Sequence, residues 1–419
     1  MQADLIIVGA GISGLRCGIE VLKQNPKQKV VILEKYNYLG GRVVSYAAEV
    51  GSKTYHWENG AGRISDSHTK VHSLLKQYKL ETIPLSETQL WIAKAGDEPI
   101  ENTFENSLEF LIPMIQRLTP EVLAKHTLLE LSIQLLGQKR AKALFESFPY
   151  RAEVETLRAD LAIESFQNEM GSYKGYTVVK TGLSSLIHEM VNDFKKRGGF
   201  IFAKQDVQDV QRSDTKTLVI SKTPHGKVIW EAPKVILALH VDALKALPAF
   251  KDVAFTKHLK MEPLLRCYAV FDKPCLKGIE RFVTSEPLRY FIPITEKVAM
   301  ISYTESQDAR KFMDMPEEAL SAFLIKQLRD LLPGYDISDP IYFKTHPWTS
   351  GCTYWLPGSY SPSEESKKAH HPFPNTLPGV FCCGESISLR QAWMEGALES
   401  ADFLLETLLI SGPNSIKSP

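Results

Sequence analysis

The stretch His56–Ser65, HWENGAGRIS, sets an arginine directly behind three small residues, Gly60, Ala61 and Gly62. A run of small residues lets something flat or bulky come close to the backbone. Arg63 stands at the edge of that approach with five N–H donors held in a rigid fork. Such a fork suits a carboxylate, which it meets through two parallel charge-assisted hydrogen bonds that give orientation as well as energy. An ion pair with an acid of the chain itself, or a contact with a cofactor, would use the same donors. Val71, Leu74, Leu75 and Tyr78 recur at helical spacing just behind the loop, and a helix there would anchor it.

A second group of chemistry-bearing residues opens the chain. Leu5–Val8 is a short apolar run of the kind buried in a parallel sheet, and it leads into Gly9-Ala10-Gly11-Ile12-Ser13-Gly14. A helix follows, with Leu15, Cys17, Ile19 and Leu22 on one face, and the next apolar run, Val30–Leu33, ends on Glu34. Gly9 allows the tight turn, Gly11 lets the backbone touch a pyrophosphate, and Gly14 lets helix and strand pack closely. The pyrophosphate rests on the helix N-terminus, where unpaired N–H groups and the dipole favour anions. Glu34 can accept ribose hydroxyls, and an acid there disfavours a 2′-phosphate and hence NADP. Gly9, Gly11, Ser13, Gly14, Glu34 and Lys35 are therefore the expected nucleotide-binding set.

Two further motifs say which dinucleotide. Leu39-Gly40-Gly41-Arg42 follows the ribose acid, and the C-terminal stretch GVFCCGESISLRQAWMEGALES carries Gly384-Glu385 and Trp393-Met394-Glu395-Gly396-Ala397. The stretch runs into a helix with Ala397, Leu398, Ala401, Leu404, Leu405 and Leu408 on one face. Together the motifs resemble the flavin-containing amine oxidase superfamily, which includes monoamine oxidases and L-amino-acid oxidases. The resemblance implies an α/β fold, a Rossmann-like FAD-binding domain interleaved with an α+β substrate domain. It places the FAD-binding domain at 1–80, 172–258 and 340–410, and the substrate domain at 81–171 and 259–339. It implies FAD as the cofactor, with Gly41 and Arg42 near the pyrophosphate. Val207, Gly384, Glu385, Trp393, Met394, Ala397 and the loop Gly60, Ala61, Gly62 and Arg63 complete the site.

The resemblance also gives roles. In L-amino-acid oxidases and tryptophan monooxygenases, Gly-Ala-x-Arg at the position of Gly60–Arg63 holds the substrate carboxylate. Trp393 matches an aromatic that flanks the substrate, and Tyr290, beside Phe291, matches a segment that lends a carboxylate-binding tyrosine. Trp348, Tyr354 and Trp355 either line the same cavity or pack the domain junction. Arg266 stands where many relatives carry a lysine near the flavin; it keeps the positive charge but cannot shuttle a proton, which puts rapid reoxidation by oxygen in doubt. Ser350-Gly351-Cys352 resembles a Ser-Gly-Gly-Cys that bonds FAD covalently, but one glycine is missing. Non-covalent FAD is the expectation, with Cys352 the candidate otherwise. His240 replaces a proline that usually follows the strand Lys234–Leu239.

The implied activity is oxidative deamination of an amine, an α-amino acid by the reading of Arg63. Hydride passes to the flavin, and imine, oxo acid, ammonia and peroxide follow with O2 as acceptor. The alternatives are an oxidase of a non-carboxylate amine, a desaturase-like flavoenzyme and a catalytically quiet FAD-bound scaffold. No metal site is expected.

Bulk composition agrees with a small-molecule enzyme. Lys+Arg and Asp+Glu both number 49 in 419 residues, so no net charge favours nucleic acid or an anionic membrane. The six cysteines form no CxxC pair, and no apolar run reaches transmembrane length. A cytoplasmic protein with reduced thiols is the expectation; a homodimer is compatible with it.

Overall fold

The computed structural model describes residues 1–86, 88–169, 175–371 and 377–410. The polar tail and the join near 171 where the second FAD-domain segment was expected to begin lie outside them. A five-stranded parallel sheet takes its strands from across the chain, in the order Phe200–Phe202, Val30–Leu33, Leu5–Val8, Lys234–Leu237 and Val380–Cys382. Leu5–Val8 is apolar throughout because both of its faces are covered. Leu5 and Ile7 pack among the helices Ile12–Gln24, Ser184–Lys196 and Met394–Ile410. Ile6 and Val8 face the opposite way, toward Val210, Val219 and Trp230 of a three-stranded antiparallel sheet. Each side chain so buried contributes about 1.5–3 kcal/mol. The hairpin read around Thr223–Gly226 closes two strands of that smaller sheet.

A seven-stranded mixed sheet forms the second body, in the order Pro340–Trp355, Leu259–Phe271, Val298–Glu305, Tyr290–Thr295, Phe282–Val283, Leu90–Trp91 and Ile100–Glu101. Helices between Phe104 and Glu169 share a core with Leu259, Met261, Tyr354 and Trp355 of its strands. The expected boundary at 339/340 falls beside a strand of this sheet. Residues 340–355, read as part of the FAD-binding domain, pair antiparallel with Leu259–Phe271 from Leu259↔Trp355 to Phe271↔Pro340. The physical reason is the buried strand Leu259–Phe271, whose thirteen residues take a partner along nearly their whole length. The chain rejoins the parallel sheet only at Val380. Likewise Thr82–Pro84, expected in the substrate domain, pairs with Tyr176–Val179 in one small sheet that also holds Ile64–Ser65. That sheet fixes the strand into which the Arg63 loop runs.

Candidate active site

A cavity of about 1660 Å3 extends from the turn at Gly9 to the aromatic walls around Arg63. At its nucleotide end, two glycines are enforced by backbone. A Cβ on Gly9 would lie 2.5 Å from the Ala238 carbonyl oxygen, and one on Gly14 would lie 2.1 Å from that of Gly9. Gly11 is different: a Cβ there would meet only the Gly40 oxygen at 3.9 Å, so its surface is left open toward the cavity. That bare cradle, on a helix with no acid in its first turn, fits a dinucleotide pyrophosphate. Ser13 Oγ donates to the Ala397 carbonyl at 3.0 Å and so ties the starts of the helices Ile12–Gln24 and Met394–Ile410 together. Glu34 is held by the N–H groups of Ala10 at 2.8 Å and Tyr36 at 2.9 Å. Burial pushes its carboxyl up and those backbone bonds pull it back. Lys35 pairs with Asp206 at 3.3 Å beside the cavity-lining Val207.

Arg42, expected at the pyrophosphate, spends its fork on the protein. Its Nη2 lies 2.7 Å from Glu385 Oε2 and its Nη1 donates to the Gly351 carbonyl at 2.8 Å. Glu385 also accepts from Thr353 N, Thr353 Oγ1 and Ala392 N. The two residues form a half-buried clamp beside Gly384, and Gly41 lies close to Gly11.

The small residues before Arg63 have an internal cause. A Cβ on Gly60 would lie 2.0 Å from the Arg42 carbonyl oxygen, and one on Gly62 would lie 2.9 Å from Arg266 Nη1. Ala61 N donates to the same Arg42 carbonyl at 2.9 Å. It is the chain's own backbone and Arg266 that crowd the loop. Glu395 locks the next helix, Thr69–Gln77, by accepting from Lys70 N at 2.8 Å and Val71 N at 2.9 Å. The acid of the Trp393–Ala397 motif is thus a helix cap reached from across the fold.

Arg63 itself lies over three rings: Tyr176 at 4.2 Å, Tyr150 at 4.6 Å and Trp393 at 5.4 Å. It makes no ion pair and donates no hydrogen bond to the described residues. Rings hold a guanidinium through their faces and leave its N–H edge for another partner. Behind Trp393, the ring of His68 meets the indole edge-on at 4.8 Å. Ser65 N donates to His68 Nδ1 at 3.2 Å, so in the neutral ring the proton sits on Nε2 and is donated to Glu169 at 2.8 Å. Burial pushes the Glu169 carboxyl up, but the bonds from His68 and Ser67 hold it below its ordinary value.

Tyr290 takes a different part from the expected one. It lines the cavity, but its hydroxyl donates to Gln89 Oε1 at 2.9 Å, so it turns lone pairs and not a donor toward a ligand. Arg266 rests against Gly62, donates weakly to the Glu58 carbonyl at 3.4 Å, and keeps a buried Nε without a partner among the described residues. Trp348 and Tyr354 line the cavity, whereas Trp355 packs the domain junction through Ser388 and Gln391. Cys352 and Met394 also reach the cavity. His240, whose role was open, caps the helix Val241–Ala246 through Nδ1; burial, then Arg42, pushes it down to about 4.

Tyr150, Tyr176 and Glu153 were not singled out from the sequence. Tyr150 and Glu153 are three residues apart across the start of the short helix Arg151–Glu155. Glu153 is an acid between Ala152 and Val154, all three buried. An acid flanked by two apolar residues in a short helix is the signal that was there to be found.

Solved structures share this architecture. A putrescine oxidase variant with redesigned cofactor binding superposes with a TM-score of 0.75 at 14% identity, covering 98% of this chain and 100% of that one. The wild-type putrescine oxidase bound to putrescine gives 0.74 at 14% identity, covering 98% and 99%. Sequence relatives are local. An uncharacterised protein of Acanthamoeba polyphaga mimivirus is 33% identical over 86 residues, 20% of this chain and 16% of its own. The mitochondrial L-2-hydroxyglutarate dehydrogenase of Dictyostelium discoideum is 32% identical over 142 residues, 33% of this chain and 31% of its own. The chain thus aligns with less than a third of either relative. The model of the flavin containing amine oxidoreductases, by contrast, matches residues 12–402, from the start of the helix Ile12–Gln24 into the last helix, and this chain belongs to that family.

Proposed function

We propose that the protein oxidatively deaminates an amine that also carries a carboxylate, an α-amino acid, with FAD as its non-covalent flavin. The observation that carries this is the Arg63 guanidinium, set on the cavity wall by three aromatic rings and paired with no acid of the described residues. FAD, once bound, supplies the acceptor for the hydride leaving the substrate carbon. Gly9, Gly11, Gly14 and Glu34 would hold its nucleotide, and the Arg42–Glu385 clamp would shape the middle of the site. Arg63 holds the carboxylate through two parallel bonds and thereby fixes which face of the α carbon is presented, the gain of an oriented pair. Tyr150, Tyr176 and Trp393 exclude water, which strengthens that pair and favours the neutral amine. A diamine such as putrescine, the ligand of one similar structure, has no group for Arg63 to hold.

The test is anaerobic bleaching of the yellow holoenzyme by a panel of amino acids, matching decarboxylated amines and putrescine. Arg63→Ala should keep the flavin spectrum yet weaken reduction by the best amino acid by about 2–5 kcal/mol, roughly thirtyfold to several-thousandfold. Arg63→Lys should fail nearly as badly, because a point charge does not replace the planar fork. Bleaching by amines or putrescine but by no amino acid, or equal losses for an amino acid and its matching amine, would overturn the carboxylate reading.

A further inference from the structure

Beside Arg63 the cavity holds a second group that the fold leaves without a partner. Glu153 lines the cavity and is only 6% exposed, yet neither carboxyl oxygen accepts a hydrogen bond from the described residues, and Oε2 is shut off from solvent. A buried carboxyl without partners is costly, and here its helix could have been satisfied by any apolar residue, since Ala152 and Val154 flank it. The neighbouring acid shows the contrast: Glu305 accepts from Ala152 N at 3.0 Å and from the Tyr303 hydroxyl. Glu153 and Arg63 also do not satisfy each other, because no ion pair forms between them within 4.0 Å. The cavity therefore presents an open cation and an open acid that feel each other's charge, which is the complement of a zwitterion.

We propose that Glu153 is the proton acceptor for the substrate's ammonium group. This rests on the reading of Arg63 as the carboxylate holder. An amino acid arrives as an ammonium carboxylate, and hydride cannot leave the α carbon until the nitrogen has a free lone pair to stabilise the developing iminium. The exchange is R–NH3+ with Glu153–COO− giving R–NH2 with Glu153–COOH; the N–H bond breaks, an O–H bond forms, and no electrons leave the pair. The surroundings bias it in that direction. Burial first, then the Glu305 carboxylate, push the Glu153 carboxyl up to about 8, with Glu169 of the following helix adding to this and Arg63 opposing it. On its own helix Arg151 pairs with Glu155, and on the packed helix Leu128–Leu136 Glu130 is turned to its own N-terminus. Arg63 is thus the cation that favours ionised Glu153. A carboxylate seated on Arg63 cancels that charge and makes Glu153 hold its proton more tightly. Binding one end of the substrate drives the proton off the other.

Two measurements on the FAD-loaded protein test this. Binding of benzoate, a carboxylate with no amine, is followed near pH 8 in buffers of different ionisation enthalpy. The wild type should take up a fraction of a proton, and Glu153→Gln should bind benzoate with none. No uptake by the wild type, or undiminished uptake by Glu153→Gln, overturns the proposal, and the first of these needs no variant to fold. The second is kcat/KM for flavin reduction by the best amino acid against pH. The wild type should rise through a limb near pH 8 besides that of the free amine; Glu153→Gln should lose that limb and fall about 10²–10⁴-fold, the usual worth of a positioned acid or base. A variant within about threefold of the wild type, limb intact, assigns the proton elsewhere while leaving the Arg63 reading standing. Benzoate that does not bind, with Arg63→Ala indifferent to carboxylates, removes that reading and this proposal with it.

Discussion

At the scale of single residues, several side chains do work other than the most direct reading of their type. Arg42 carries the charge expected for a pyrophosphate, yet its fork closes on Glu385 and Gly351. Small residues at Gly60 and Gly62 give way to Arg42 and Arg266 of the protein itself. Cys352 stands on the cavity, but burial, followed by Glu385 and Glu305, pushes its thiol well above the ordinary range. A thiol held neutral is a poor nucleophile, because the thiolate is the reactive form. The flavin should therefore be free of a thioether. Acid precipitation should leave the yellow colour and the flavin fluorescence in the supernatant, for the wild type and Cys352→Ala alike. Fluorescence that stays with wild-type precipitate and is lost in Cys352→Ala would contradict this. It would also mean that the bound group lowers the thiol enough to react.

At the scale of elements, the site is assembled by helix starts that must approach one another closely. Gly396 follows Glu395 at the start of Met394–Ile410, and a Cβ there would lie 1.8 Å from the Arg390 carbonyl oxygen and 2.6 Å from Ser388 Oγ. Gly396→Ala should push away the loop that carries Trp393. We expect a loss of about 1–3 kcal/mol, the usual cost of overpacking, seen as a lower urea midpoint, together with weaker flavin retention. A variant that keeps both midpoint and flavin would show that the loop yields freely. These elements also mark what the sequence made legible. The parallel-sheet strands Leu5–Val8, Val30–Leu33 and Lys234–Leu237 announce themselves because burial on both faces demands unbroken apolar runs. The one-sided helices Ser184–Lys196 and Met394–Ile410 announce themselves by period. Pro340–Trp355 did not, because a strand pairs by what lies beside it, and its partner Leu259–Phe271 is distant in sequence. Tyr150 and Tyr176 were hidden for the same reason: each meets Arg63 across a long chain separation, with no local pattern to mark the meeting, whereas Glu153 left a local sign in the apolar residues on either side of it. Lone motifs show the turn, and the fold supplies the wall.

At the scale of the whole molecule, the buried titratable groups give stability a definite dependence on pH. His240, His346 and His370 are pushed down to about 4, in each case chiefly by burial. For a base with a depressed folded value, the unfolded chain binds more protons below its ordinary 6.5, so this stability is complete above about 6.5 and is lost as pH falls toward 4. Glu153, at about 8, and Glu305, at about 7, are raised from 4.5, again with burial as the first cause. An acid with a raised folded value works in the opposite sense. The folded chain holds the proton longer, so stability is complete below about 4.5 and declines as pH rises through the folded value. The two slopes oppose each other up to about pH 6.5; above that only the acids remain. Stability of the FAD-loaded protein should therefore fall between about pH 6.5 and 8, by about 2 kcal/mol from Glu153 alone at roughly 1.4 kcal/mol per pH unit. Glu153→Gln keeps the shape of the side chain and removes its titration. Its urea midpoint, measured at fixed excess FAD so that cofactor binding adds equally, should fall less steeply over that window. The variant should end more stable than the wild type above pH 8 and, without the opposing slope of Glu153, should lose stability more steeply than the wild type as pH falls from 6 toward 4.5 and the histidines take up protons. Parallel curves for the two proteins from pH 6.5 to 8 would mean that Glu153 finds relief from burial once the cofactor is in place, and would take the proton-holding environment away from it.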